Sequence, residues 1–288
     1  MVENERLKNI KATAIILDFM KGARVVENVK SILAQETNFG LKIFVIDNSC
    51  DEKNAAILRE GLHDLPGVKL VINKKNLGYI KAHNAVKDEI EGEYLFIINP
   101  DIIWKDGDVI QKMANYMDAN PDIGILGPKQ INDSGETAMT VRAFPKLYLQ
   151  VARRTFLRRL PILKSKVAYD EMRHLDYDKI QDVDWLQSSC VVIRTDLWSK
   201  IGGLCEDYFL FMGDVELCYQ AWKNGLRVVY YPEVEVYADG KRLSAGGFKK
   251  FFQSWVMRQH VKDSVRYRLK YFFHPNPRKA YYEQSKKN

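Results

Sequence analysis

The first half of the chain alternates between two periodicities. Short, largely apolar runs, "ATAIILD" (12–18), "LKIFVID" (41–47), "VKLVI" (68–72) and "EYLFII" (93–98), are separated by stretches with helical spacing at 23–35, 52–63, 79–90 and 107–119. Strand and helix at this cadence predict βαβ units and a parallel sheet covered on both faces. Gly40, Gly67 and Gly92 stand just before strands, where the preceding helices end. A further strand, "IGILG" (123–127), follows Pro121. Open parallel sheets bind ligands at the carboxyl ends of their strands, and Asp18, Asp47 and Asp101 all fall there. "YLFIINPD" (94–101) stops abruptly on Asn99-Pro100-Asp101. Alone, such an ending reads as a turn; beside two other strand-end acids it reads as a carboxylate delivered to a cleft.

The second half is looser. Residues 142–166 have no strong period. "DVDWLQSSCVVIR" (182–194) reads as a loop entering a strand, and a helix with Thr195 as N-cap follows. A helix is expected over 213–223 with Gly225 as its stop, then a strand around Pro232 in "LRVVYYPEVEVY" (226–237). From Phe248, the residues Phe252, Trp255, Val261, Val265, Leu269 and Phe272 recur mostly every three or four positions with basic residues between them, the pattern of a basic amphipathic helix or helix pair. The expected organisation is one domain over 1–247, with halves 1–127 and 128–247, and a helical tail over 248–288.

Composition narrows the class. The 288 residues are 46% hydrophobic and 28% charged, with no apolar run approaching the roughly 20 residues of a membrane span. The amino terminus lacks a signal-peptide core. Cys50, Cys190, Cys205 and Cys218 form no Cys-x-x-Cys pair, so neither a zinc site nor a redox motif is expected, and scattered thiols suit a reducing cytosol. The net charge of +7 is uneven. Residues 249–288 hold eleven Lys/Arg against two Asp/Glu, and 142–166 hold eight against none. Two basic segments on an acidic remainder point to anionic partners at particular surfaces; solvated, solubilising charge is the plainer reading.

Five ordered segments resemble the inverting glycosyltransferases of family 2, and within it the rhamnosyltransferase-like branch. "VIDNSCDE" (45–52) is similar to the family's strand-end Val-Asp-Asn-x-Ser-x-Asp element, and "NLGYIKAHN" (76–84) to its Asn-x-Gly…Asn segment. "INPDI" (98–102) resembles its variant of the metal-binding Asp-x-Asp motif. "VDWLQSSCVVIR" (183–194) and "GGLCEDYFLFMGDVELC" (202–218) resemble the acceptor-side block and the helix with the catalytic acid. The likeness runs from about Lys11 to Ser244. It implies a GT-A fold (α/β, a Rossmann-like, mostly parallel sheet flanked by helices), a nucleotide-sugar donor and a divalent cation, Mg²⁺ or Mn²⁺.

Carried over residue by residue, the resemblance makes Asp101 the metal ligand, with Asn99 near the ribose or metal. Asp47 accepts from the pyrimidine ring N–H. Asp18, where relatives more often carry Asn, contacts base or ribose, and Asn76, Gly78 and Asn84 line the nucleotide. Lys81 and His83 lie where a phosphate contact or a solvated helix face would serve. Asp214 is the general base, within reach of the acceptor oxygen, and Glu216 supports it. Asp184 and Trp185 shape the sugar and acceptor pocket, with core packing of the tryptophan as the alternative. Two departures stand out: Gly213 replaces the usual first acid before Asp214, and no His follows the last strand, leaving Asp239 as the nearest replacement metal ligand.

The expected activity is transfer of a sugar, rhamnose from dTDP-rhamnose, to a surface polysaccharide or lipid-linked glycan. The alternatives are a UDP-hexose donor and a catalytically silent nucleotide-sugar or glycan-binding module. Arginines 153, 154, 158 and 159 among Phe156, Leu157 and Leu160 suit diphosphate recognition. With the basic tail they suggest docking on an anionic bilayer, hence a cytoplasmic protein peripheral on the inner face of the plasma membrane. The tail could instead pack on its own body or form a homodimer contact. No nucleic-acid partner is expected.

Overall fold

Alternate residues of the apolar runs enter two different cores. In β1 (Ile10–Asp18), Ala12, Ala14 and Ile16 face one and Ile15 the other. In β2 (Gly40–Asp47), Ile43 and Val45 oppose Phe44 and Ile46. After β3 (Val68–Ile72), β4 (Tyr94–Ile98) divides Tyr94, Phe96 and Ile98 from Leu95 and Ile97. A strand with an apolar partner on each face needs no polar side, which is why these runs show none. The computed structural model describes residues 9–146, 149, 152, 156–238 and 255–286.

Helices α1 (Gly22–Leu33), α2 (Glu52–Leu62), α3 (Gly78–Asn84) and α4 (Val109–Ala119) follow the first four strands. Asp51 caps α2, its carboxylate accepting from the Asn54 N–H at 2.8 Å. The helix expected over 79–90 is shorter: α3 stops at Asn84, and a single 3₁₀ turn, Lys87–Glu89, follows. Next in order come β5 (Ile123–Ile131), β6 (Val141–Arg142), α5 (Pro161–Asp170), β7 (Gln181–Asp182), β8 (Trp185–Leu186), β9 (Cys190–Arg194), α6 (Thr195–Ile201), α7 (Gly213–Lys223) and β10 (Arg227–Tyr237). Thr195 is the first residue of α6, and Arg194 is its cap. Gly225 takes φ +78° just past α7, as a stop residue should.

The main sheet runs β3-β2-β1-β4-β9-β5-β10-β7. β1 to β4 pair in parallel, as does β10 with β5, but β9 enters antiparallel between β4 and β5. That reversal brings the start of β9 to the carboxyl edge of β4. Pro232, which cannot donate to a ladder, lies in the register break between Tyr231 and Glu235.

Two further helices, α8 (Trp255–Tyr271) and α9 (Pro277–Ser285), lie against this body. Tyr271 donates to the Glu216 carboxylate, and Arg278 pairs with Asp184 at 3.2 Å. Val265, Leu269, Phe272 and Phe273 stay exposed. Phe248 and Phe252 lie outside the described residues.

Candidate active site

β1 and β2 end in register, with Asp18 opposite Asp47 and both buried. Two buried carboxylates side by side repel, and Asn54 on α2 mediates between them. Its Nδ2 donates to Asp18 Oδ2 at 2.5 Å and to Asp47 Oδ1 at 3.2 Å, while its Oδ1 accepts the Gly22 N–H at 2.9 Å. Burial pushes the Asp18 carboxyl above its ordinary range; the Asn54 and Lys21 hydrogen bonds oppose this, and the Asp47 charge adds to it. Asp47 Oδ1 also accepts the Ser49 N–H at 2.9 Å. Its Oδ2 is buried with no partner among the described residues, an acceptor left open at a strand end. Met20 and Cys50, just after these acids, hold φ of 61° and 56°, backbone that costs energy for side chains of this kind.

Asn48 ties this corner to the loop before α3. Its Nδ2 donates to Asn76 Oδ1 at 2.9 Å and to the Gly78 carbonyl at 3.2 Å, and its Oδ1 accepts the Leu77 N–H at 2.9 Å. Gly78 has φ +75°, and a Cβ there would stand 2.5 Å from the Phe209 carbonyl oxygen. That oxygen accepts from the Tyr79 and Ile80 N–H groups at 2.8 and 3.4 Å. One short loop therefore touches the neighbour of Asp47 on one side and the segment leading into α7 on the other.

Asp214 occupies the first turn of α7, partly exposed, with Oδ1 accepting the Val215 N–H at 2.9 Å. Burial pushes its carboxyl up to about 6. The Tyr79 hydroxyl, bonded to Ser188 Oγ at 2.8 Å, feels the Asp214 charge. Met212, two residues before the acid, is held at φ 69°. Thus, among the described residues, three of the five non-glycine residues with positive φ flank Asp18, Asp47 and Asp214, a placement that marks backbone shaped for a site.

Asn99 extends β4, donating its N–H to the Ser189 carbonyl at 2.7 Å and accepting Asn28 Nδ2 on its own carbonyl at 2.9 Å. Asp101 follows with a side chain 14% exposed and Lys21 Nζ at 3.9 Å. Among the described residues no three His, Cys, Asp or Glu side chains gather as a metal site, and Asp239 lies outside them. Asp101 offers a single carboxylate, which suits a hard cation completed by phosphate oxygens and water and not an all-protein cage; the Lys21 ammonium competes with such a cation for that carboxylate.

The remaining predicted residues have other partners. Asn84 is buried, its amide bonded to both the N–H and the carbonyl of Leu204 at 2.9 and 2.8 Å, so it staples α3 to the loop after α6. His83 is buried, its ring pushed down to about 4 by burial, and its Nδ1 bonds the Tyr79 carbonyl at 2.8 Å. Lys81 is exposed, with Glu206 at 3.8 Å. Asp184 accepts from the Phe144 N–H at 2.9 Å and pairs with Arg278. Trp185 Nε1 donates to the Ala143 carbonyl at 2.8 Å. Glu216 is buried and accepts from Tyr208, Gln220 and the tail residue Tyr271. Arg153 and Arg154 lie outside the described residues. Asn54, Asn48, Lys21 and Tyr79 were not singled out by sequence reasoning. Asn48 and Tyr79 at least sit inside the quoted motifs, whereas nothing local marks Asn54 or Lys21.

A model of the family described as glycosyltransferase like family 2 matches residues 11–260. An N-acetylglucosaminyl-diphospho-decaprenol L-rhamnosyltransferase of Mycobacterium tuberculosis is 28% identical over 226 residues, 73% of this chain and 70% of that one. The rhamnosyltransferase WbbL of Escherichia coli is 23% identical over 235 residues, 78% and 81% of the two chains. Among solved structures, the mannosyltransferase PcManGT of Pyrobaculum calidifontis in complex with GDP-Man and Mn²⁺ superposes with a TM-score of 0.56 at 16% identity, covering 82% of this chain and 59% of that one. GalNAc-T7 with UDP, GalNAc and Mn²⁺ gives 0.59 at 14% identity, over 85% and 47%. This chain thus spans about three fifths of the first solved chain and under half of the second.

Proposed function

The chain belongs to the family-2-like glycosyltransferases, and from that membership we propose that it moves a sugar, rhamnose from dTDP-rhamnose, onto a lipid-linked glycan with inversion, Asp214 acting as base. The observation that carries the reading is the loop 76–80, which contacts both Asn48 beside Asp47 and Phe209 ahead of Asp214. That loop links the segment of the donor-side acid to the segment that leads into the base.

Asp47 Oδ2, buried without a partner among the described residues, is the acceptor for the ring N–H of a pyrimidine. It reads thymine and uracil alike, so a UDP-hexose shares this base site. Asp18, Asn76 and Gly78 complete the nucleotide side. Asp214 takes the proton of the acceptor hydroxyl as its oxygen bonds to the anomeric carbon from the face opposite the diphosphate. The anomeric C–O bond breaks, and the nucleoside diphosphate leaves with the electron pair. A carboxylate at about 6 is ionised at neutral pH yet basic enough to share that proton. Lys21 offsets charge on the departing diphosphate from beside Asp101. A divalent cation, Mg²⁺ or Mn²⁺, held by Asp101 and the diphosphate oxygens, would supply Lewis-acid stabilisation of the same charge.

No described helix is long and apolar enough to cross a membrane. For access to a lipid-linked acceptor we assign the outward face of α8 and the turn after it. There Trp255, Val265, Leu269, Phe272 and Phe273 are exposed among Arg258, Lys262 and Arg266. Apolar side chains interleaved with basic ones suit adsorption to an anionic bilayer.

Thermal stabilisation by a panel of nucleotide sugars with Mn²⁺ tests the donor, and turnover by Asp214→Asn tests the base. Stabilisation by dTDP-rhamnose well above dTDP, with turnover lost in the variant and nucleotide affinity kept, is expected. A stronger response to a UDP-hexose transfers the proposal to that donor. Wild-type turnover by the variant removes the base assignment.

A further inference from the structure

Asp263, on the tail helix α8, has 0% exposure, and its hydrogen-bond donors among the described residues are uncharged. Its carboxylate instead accepts from three consecutive backbone amides. Oδ2 takes the N–H groups of Leu210 and Phe211 at 3.0 Å each, and Phe209 N–H lies 3.3 Å from both oxygens. Gln259, one turn earlier on α8, adds a side-chain donor to Oδ1 at 2.8 Å. A buried carboxylate is tolerated only where hydrogen bonds replace its water. Here that replacement goes almost wholly to the three residues ahead of Met212-Gly213-Asp214.

Those residues need the acceptor equally. Phe209 turns its carbonyl to Tyr79 and Ile80, and Met212 at φ 69° kinks the chain into α7, so the amides of 209–211 point away from the sheet toward α8. An apolar residue at 263 would leave three part-buried donors unpaired. From this geometry we infer that Asp263 is a positioning residue for glycosyl transfer: the tail reaches back and, through three amide bonds, sets the segment that aims Asp214. The inference rests on the reading of Asp214 as base. It gives the tail a part in turnover that is separate from any surface it offers to a bilayer.

The experiment compares Asp214→Asn, Asp263→Asn, Asp263→Glu and Gln259→Met in the full chain. It measures kcat and donor KM, calorimetric affinity for dTDP and UDP, and amide hydrogen exchange across 209–211. A base displaced by about 1 Å loses on the order of a hundredfold in rate. Asp263→Asn is therefore expected to lose roughly that factor in kcat, to keep nucleotide affinity and KM within about threefold, and to exchange faster at 209–211. Asp263→Glu, which keeps the charge, should recover part of the rate. Gln259→Met removes one donor and carries the test if Asp263→Asn does not fold; a reduced kcat at unchanged nucleotide affinity is expected. Full kcat despite faster exchange at 209–211 overturns the inference. So does a loss of kcat and nucleotide affinity in equal proportion, which marks general unfolding. If Asp214→Asn keeps wild-type turnover, the base reading itself has failed. If it is inactive while Asp263→Asn turns over normally, only the positioning role has.

Discussion

Replacing Asn54 by alanine tests whether the paired acids at the strand ends are held as described. The side chain is buried and makes four hydrogen bonds: to Asp18, Asp47 and Ser49 through Nδ2, and from Gly22 through Oδ1. Truncation leaves the Gly22 N–H buried and unpaired, which costs about 1–3 kcal/mol, and removes a charge-assisted bond from Asp18 worth about 1.5–3 kcal/mol. A combined loss of about 3–5 kcal/mol is expected, a large share of a typical domain's stability. The loss should depend on pH. Burial already raises the Asp18 carboxyl, and the Asn54 hydrogen bond opposes that rise, so its removal raises the group further. An acid whose folded pKa lies above its unfolded value binds protons better when folded, so stability declines as pH climbs through that interval. The deficit of Asn54→Ala should therefore be larger near pH 7.5 than near pH 5. Urea unfolding followed by tryptophan fluorescence at both values measures it. A loss under about 1 kcal/mol, or a deficit that grows toward acid, would refute the description of the acid pair.

With Asp214 at about 6, kcat/KM should fall about tenfold per pH unit below that value and level off above it; a profile flat down to pH 5 would contradict its role as base. Gly78→Ala should destabilise the protein by about 2–4 kcal/mol, because a left-handed alanine must also clear the Phe209 carbonyl. Chemical denaturation within about 0.5 kcal/mol of the parent would show that the loop has room. Replacing Leu269, Phe272 and Phe273 together by serine should lower partition onto vesicles containing anionic lipid by roughly tenfold or more, with nucleotide affinity unchanged. Equal partition of variant and parent would remove α8 as the docking face.

Much of the framework was legible in the chain because its physics is local. A strand covered on both faces needs uninterrupted apolar residues, and such runs announced β1, β2 and β4 along with the acids at their ends. Gly225 behaves as a stop because left-handed backbone favours glycine wherever it occurs. The helix expected to reach 90 stops at Asn84, whose buried side-chain amide bonds Leu204, 120 residues away. Asn84, Asp184 and Glu216 are expected near donor or acceptor; in the structure their side chains bond Leu204, Arg278, and Tyr208 with Tyr271, respectively. No local pattern separates a polar residue that faces ligand from one that fastens two segments.

The chain alone carries the family, the alternation of strands and helices in the first half, and the acids that end β1 and β2, since each follows from nearest neighbours or from motifs a few residues long. Only the tertiary structure decided that β9 runs antiparallel between β4 and β5, that Asn54 mediates between Asp18 and Asp47, and that a buried Asp263 holds the approach to Asp214. Apart from the Asn54–Asp47 bond, these depend on partners tens of residues apart or more. Their hydrogen bonds are specified by the closure of the whole sheet and the return of the tail, which no stretch of the chain contains.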